Sequence, residues 1–163
     1  MRLTIPTLLI ALAASSGVAH AELHTNGPGK VSVDIPSSWK VKIEKGGVMT
    51  GASKDDAVGL LFWVVEKASA DDAIKLLDKA LAGKLSNVKW PHRPEKANIN
   101  GLNGIKNVGT GVVNGKDAFI MIAVVGPTPT KKGVIVFGMI EQSKLLEHKA
   151  ELTNIFDSLT PTE

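Results

Sequence analysis

The residues able to do chemistry in this chain are few and scattered. There is no cysteine, and beyond the first 21 residues the histidines are His24, His92 and His148. A zinc centre needs three or four N, S or O ligands converging on one point. His24 lies in a polar, glycine-rich stretch and His92 sits between two prolines. His148 falls late in the chain beside Lys149, where it is expected to face solvent. None of them pairs at four-residue spacing with another histidine or with a carboxylate-rich partner. The sequence therefore offers no metal centre, and no cofactor is expected. A serine nucleophile needs a strained turn such as G-x-S-x-G and a base; no such run exists, and Ser37-Ser38 reads as turn chemistry after Pro36. Asp55-Asp56 reads as a polar turn. Asp71-Asp72 falls in the first turn of a helix, where the dipole favours negative charge. Gly101-x-x-Gly104 and Gly109-x-Gly111 lie in or beside strands, not between a strand and a helix N-terminus as a phosphate cradle requires. No catalytic residue is assigned.

Two segments remain as candidate contact surfaces. Trp90, His92 and Arg93 stand in a loop stiffened by Pro91 and Pro94. Tryptophan and arginine carry binding energy more often than other residues, and a stiff loop loses little entropy on docking. The alternative for Trp90 is a place in the core, with the loop a mere connection. Lys131 and Lys132 end a second loop that begins at Gly126-Pro127; a solvated hairpin tip is the competing reading.

These residues need elements to position them. Val31–Ile35 and Trp39–Glu44 alternate apolar and polar side chains, the mark of half-buried strands, and residues 48–52 make a weaker third. Ala57–Val65 is apolar throughout, as in a strand covered on both faces. Ser69 is placed to cap a helix whose apolar face is Ala73, Ile74, Leu77, Ala80, Leu81 and Leu85. Strands are then expected over Ile105–Val113, Lys116–Val125 and Gly133–Glu141. The first two are joined at Asn114-Gly115, a type I′ turn dipeptide. Ser143 is expected to cap a last helix reaching Leu159, with Leu145, Leu152, Ile155, Phe156 and Leu159 inside. Antiparallel hairpins with helices packed against them make an α+β fold. Trp39 and Trp63 are read as core.

The chain begins Met1-Arg2, continues with an apolar stretch from Ile5 to Ala14 and reaches Ala19-His20-Ala21. A basic start, a short apolar middle and an A-x-A end form an export signal cleaved after Ala21; the apolar run is about half the ~20 residues that span a bilayer. Residues 22–30 are expected as a flexible lead-in and 31–160 as one globular domain. With 19 Lys and Arg against 16 Asp and Glu, and acids interrupting the basic clusters, the chain lacks the basic stripe of a nucleic-acid binder.

Ile35-Pro36, the turn after it and Trp39 resemble the opening of the PsbP-like and DcrB-like domains. The likeness extends to the strands after Asn100-Gly101-Leu102-Asn103-Gly104, the antiparallel meander, and the closing Ile155-Phe156-Asp157-Ser158-Leu159. The resemblance implies an α/β/α sandwich around an antiparallel sheet, and a protein that binds or assists other proteins rather than catalysing a reaction. It supplies no shared catalytic residues. The chain departs from the lipoprotein members, which carry a cysteine at the cleavage point. A periplasmic or secreted accessory protein is thus the leading expectation. The alternatives are a carrier of a small ligand or lipid, with Phe62, Phe119 and Phe137 lining a pocket between layers, and an enzyme using His92 as base.

Overall fold

The computed structural model describes residues 20–66, 70–126 and 132–162. The expected export signal falls almost entirely on residues 1–19, and Ser69 and Lys131 on other gaps, so these lie outside the described residues. The fold is α+β and rich in sheet. Its elements run β1 (Ala21–Asn26), β2 (Val31–Pro36), β3 (Lys40–Ile43), β4 (Met49–Ala52), β5 (Val58–Glu66) and α1 (Ala70–Ala80). There follow β6 (Leu85–Lys89), β7 (Glu95–Ile99), β8 (Leu102–Val113), β9 (Lys116–Gly126), β10 (Lys132–Glu141), α2 (Leu145–Asp157) and β11 (Thr160–Pro161).

The main sheet has eight strands. Seven lie in the order β3-β4-β5-β10-β9-β8-β6, and β7 pairs with the same edge of β8. Each pairing is antiparallel. Its centre is the expected meander, turned at Asn114-Gly115, where both residues take positive φ. On β9 and β10 alternate residues enter two separate cores. Ala123, Val125, Val134 and Val136 join one, which holds Leu152, Ile155 and Phe156 of α2. Ile120, Ile122, Ile135 and Phe137 join the other, which holds Leu77 and, at its margin, Ile74 of α1. A strand covered on both faces reads as unbroken apolar sequence, which explains the run in β5 as well.

A second sheet, β1-β2-β11, packs on the α2 side. Val31, Val33 and Ile35 of its middle strand are at most 1% exposed. The expected flexible lead-in at 22–30 is corrected here. Residues 21–26 pair along the whole of β2, and the turn that follows is pinned by Asn26, whose side-chain oxygen accepts from the Gly29 amide at 2.9 Å while its amide donates to the Gly47 carbonyl at 2.7 Å. Backbone pairing supplies the order that side-chain patterning does not announce. The expected Ser143 cap is corrected too: Gln142–Lys144 form a 3-10 turn, and α2 starts from Lys144 without a side-chain cap. At the other end, the Asn100 amide in the β7–β8 turn donates to the carbonyls of Asp157 and Leu159, each at 2.8 Å.

Two kinds of glycine need separating. Gly101 and Gly115 take positive φ in hairpin turns. Gly104, by contrast, makes room for a neighbour: a Cβ there would lie 2.0 Å from the Val124 carbonyl oxygen.

Candidate functional site

The most organised polar cluster lies where α2 crosses the turn between β4 and β5. That turn is built around Ser53, which is 2% exposed. The Ser53 hydroxyl accepts from the Val58 amide at 3.0 Å and donates to Oδ1 of Asp55 at 2.7 Å; the Ala57 amide adds a longer bond to the same oxygen. Oδ2 of Asp55 is left pointing at α2. It meets Nε2 of His148 at 3.1 Å. The other ring nitrogen, Nδ1, faces Glu151 Oε2 at 2.9 Å, and Glu151 is held in turn by the Trp39 indole N–H at 3.0 Å. Glu147 lies beside the ring, 3.8 Å from Nε2. Lys144 bridges the acids, 2.7 Å from Glu147 and 3.9 Å from Asp55.

A carboxylate accepts and cannot donate when ionised, so an imidazole between two of them donates from both nitrogens and carries a positive charge. Burial alone pulls the His148 pKa down. The hydrogen bonds to Glu151 and Asp55 and the charges of the same two groups outweigh it, and the pKa is raised. The Ser53 hydroxyl, then the His148 ring, hold the Asp55 carboxyl well below the ordinary carboxylate range, against a smaller opposing effect of burial. Lys144 is raised by its hydrogen bond to Glu147 and by the negative charge around it. With both nitrogens engaged, His148 has no free lone pair to act as a general base. Asp55, Glu147 and His148 offer three ligand atoms lying within 4.8 Å of one another, which is the geometry a metal ion would use. Beside them opens a shallow cleft of about 430 Å³ lined by Ser38, Trp39 and Lys54 among others.

The solvent-facing expectation for His148 is therefore corrected: its side chain is 13% exposed and saturated with partners. Its three-residue spacing from Glu151 on one helix face was the signal available in the sequence. The contact with Asp55, 93 positions away, was not.

The residues singled out in the sequence do not gather here. Trp90 is half-buried and packs at the margin of the α1-side core, close against Gly109, where a Cβ would come within 2.6 Å of its ring. His92 and Arg93 are exposed. The Asn107 side-chain amide donates to the His92 carbonyl at 3.2 Å and so ties the loop to β8. Lys132 belongs to β10, not to a loop, and pairs with Glu66 at 2.8 Å across the end of β5. The three phenylalanines do not share a pocket. Phe62 and Phe119 face the α2-side core, while Phe137 faces the opposite one, because neighbouring positions on a strand point to opposite faces. His92 has no carboxylate partner among the described residues.

No family model and no curated protein matches the chain in sequence. Solved structures do. Cyanobacterial PsbP (CyanoP) from Synechocystis sp. PCC 6803 superimposes with a TM-score of 0.65 at 13% identity, over 93% of this chain and 98% of that one. LpqN, involved in cell envelope biogenesis of Mycobacterium tuberculosis, gives 0.61 at 12% identity, over 88% and 91%. The Ran-binding protein Mog1p of Saccharomyces cerevisiae gives 0.56 at 7% identity, over 86% and 95%. The chain has a PsbP-like fold. Among the described residues no helix is long and apolar enough to cross a membrane.

Proposed function

We propose that this is an exported, non-catalytic protein that binds or assists another protein, and that it does so through the loop of Trp90, His92 and Arg93. The observation that carries the reading is the way this loop is held. Trp90 anchors it from behind in the core margin, Asn107 fixes its carbonyl, and Pro91 and Pro94 restrict its backbone. Arg93 and His92 are then presented to solvent on a support that loses little freedom on docking. Val108, 38% exposed, adds an apolar element next to Asn107. The saturation of His148 removes the best-placed imidazole as a base, which favours binding over catalysis. Among the proteins sharing the fold, Mog1p is a Ran-binding protein, and a comparable use of the fold fits the reading.

Export rests on the sequence pattern, with cleavage after Ala21 leaving Glu22–Asn26 to pair with β2. A place in the periplasm or outside the cell follows from that signal, and 31–160 with the paired strand β1 acts as one domain. Helices on the two faces of the main sheet support the α/β/α sandwich reading.

The test is crosslinking in the native envelope, with affinity capture and mass spectrometry, on wild type and on Arg93→Glu. The latter reverses an exposed charge and leaves the Trp90 anchor intact. A partner enriched with the wild type and lost with Arg93→Glu supports both role and surface. A partner retained by the variant moves the surface elsewhere, and the absence of any enriched partner sinks the role.

A further inference from the structure

We propose that Asp55, Glu147 and His148 form a binding site for a divalent transition-metal ion of the zinc class. The ligand atoms are Oδ2 of Asp55, Oε1 of Glu147 and Nε2 of His148, with the two oxygens 3.1 and 3.8 Å from the nitrogen. Zinc–nitrogen and zinc–oxygen bonds are about 2.0–2.2 Å, so tetrahedral ligands stand roughly 3.3 Å apart. The observed spacings bracket that value. One ion in place of the Nε2 proton satisfies all three groups and keeps a fourth position for water.

What separates this cluster from an ordinary acidic patch is the support behind two of its ligands, His148 and Asp55. Metal-binding histidines as a rule donate their other N–H to a carboxylate, which fixes the ring and leaves the ligating nitrogen aimed at the ion. Glu151 takes that part at Nδ1, and the Trp39 indole N–H orients Glu151. Ser53 and the Ala57 amide occupy Oδ1 of Asp55 and leave Oδ2 for the metal. Trp39 and Ser53 are both more than nine-tenths buried and lie outside the ligand set, so the core fixes His148 and Asp55, and the exposed Glu147 closes the site from the surface. One imidazole with two carboxylates suits zinc and its transition-metal neighbours better than calcium or magnesium, which prefer oxygen alone.

Binding exchanges one cation for others. The ion replaces the Nε2 proton, which leaves to solvent, and it displaces the Lys144 ammonium from between Asp55 and Glu147. Lys144 is a half-exposed, flexible side chain and can swing away. Affinity therefore rises with pH, as it does wherever a ligand must lose a proton. Asp55, Glu147, Glu151 and Lys144 are the titratable or charged groups facing the ring.

The experiment titrates Zn²⁺ into chelator-treated, full-length protein by calorimetry at two pH values, and follows the imidazole nitrogens by NMR. The expected result is one ion per chain, tighter at the higher pH, with the signal change centred on Nε2 of His148. Asp55→Asn and Glu147→Gln each weaken binding at least tenfold. Glu151→Gln, which touches no ion, weakens it about 10–100-fold. Lys144→Gln tightens it severalfold by removing the competing ammonium. The NMR readout uses wild type and so does not depend on any variant folding. Failure of Zn²⁺ to move the His148 signals up to millimolar concentration overturns the proposal. So does stoichiometric binding that survives Glu147→Gln and Asp55→Asn unchanged, or weaker binding by Lys144→Gln.

Discussion

Nε2 of His148 lies 3.1 Å from Oδ2 of Asp55, and this contact pins the first half of α2 to the turn between β4 and β5. In metal-free protein the pair acts as a pH-dependent lock. The folded-state pKa of His148 is raised above its ordinary 6.5, so its contribution is complete below that value and is lost as pH rises through the folded value. Asp55 is shifted the other way: its contribution is complete above 3.8 and is lost as pH falls through the lower folded value. The lock is thus complete between those two ordinary values. Urea melts of chelated protein from pH 4 to 9 should show wild type losing stability on the alkaline side relative to His148→Gln. Parallel profiles for the two proteins would count against the lock.

Gly104 and Gly138 differ in what crowds them, and this sets an order of sensitivity. A Cβ at Gly104 meets the backbone carbonyl of Val124, so β8 and β9 must separate. At Gly138 it meets the ends of Leu152 and Phe156 side chains at 2.8 and 2.9 Å, which can turn aside. Gly104→Ala should cost about 3 kcal/mol and Gly138→Ala about 1 kcal/mol. Denaturant unfolding checks this, and the reverse order would contradict it.

Asn100 combines a left-handed backbone, φ 48°, with two hydrogen bonds to the carbonyls that end α2 and follow it. Glycine keeps the backbone and loses the bonds; alanine loses both. Asn100→Gly should destabilise by about 1 kcal/mol, and Asn100→Ala by roughly 1 kcal/mol more, the cost of forcing a Cβ into that region. Equal melting midpoints for the two variants would show that backbone conformation plays no part.

Asn–Gly pairs occur at Asn26, Asn100, Asn103 and Asn114. The first three have their side chains held, by Gly47 and Gly29, by the end of α2, and by Asn98. Asn114 has no side-chain partner among the described residues and is exposed. Deamidation needs the side-chain carbon to swing onto the following backbone nitrogen, with ammonia leaving as a succinimide closes. On prolonged incubation at mildly alkaline pH, peptide mapping should find deamidation first at Asn114. An earlier change at Asn26 or Asn100 would show that these contacts do not restrain the amide.

The parts visible in the sequence are those whose pattern is local. Asn114-Gly115 announces its turn through the φ values it needs, and the apolar runs of β5, β9 and β10 announce burial on both faces. The inner face of α2 at Leu152, Ile155 and Phe156 follows from helical spacing. β1 and β7 escape because Ala21–Asn26 and Glu95–Ile99 are mostly exposed, and their order comes from hydrogen bonds to β2 and β8, which composition does not record. The His148 cluster escapes for another reason. Trp39, Ser53 and Asp55 approach α2 only after the sheet forms, so Asp55 reads as a turn residue and His148 as a surface one. The resemblance at Ile35-Pro36 and Trp39 pointed to the PsbP-like fold and gave no hint of this cluster.

Ser32 of β2 stands opposite Thr160 of β11, so the small sheet joins the beginning of the described chain to its end. A chain emerging N-terminus first can pair β1 with β2 early, but it cannot seat the third strand, or the α2 residues that cover Val33 and Ile35, until almost all of it has appeared. Until then an apolar strand face waits uncovered. Contacts this distant along the chain place folding toward the slow end of the range for domains of this size, and a holdase that shields β2 until the chain is whole would speed recovery of folded protein more than a catalyst of any local step.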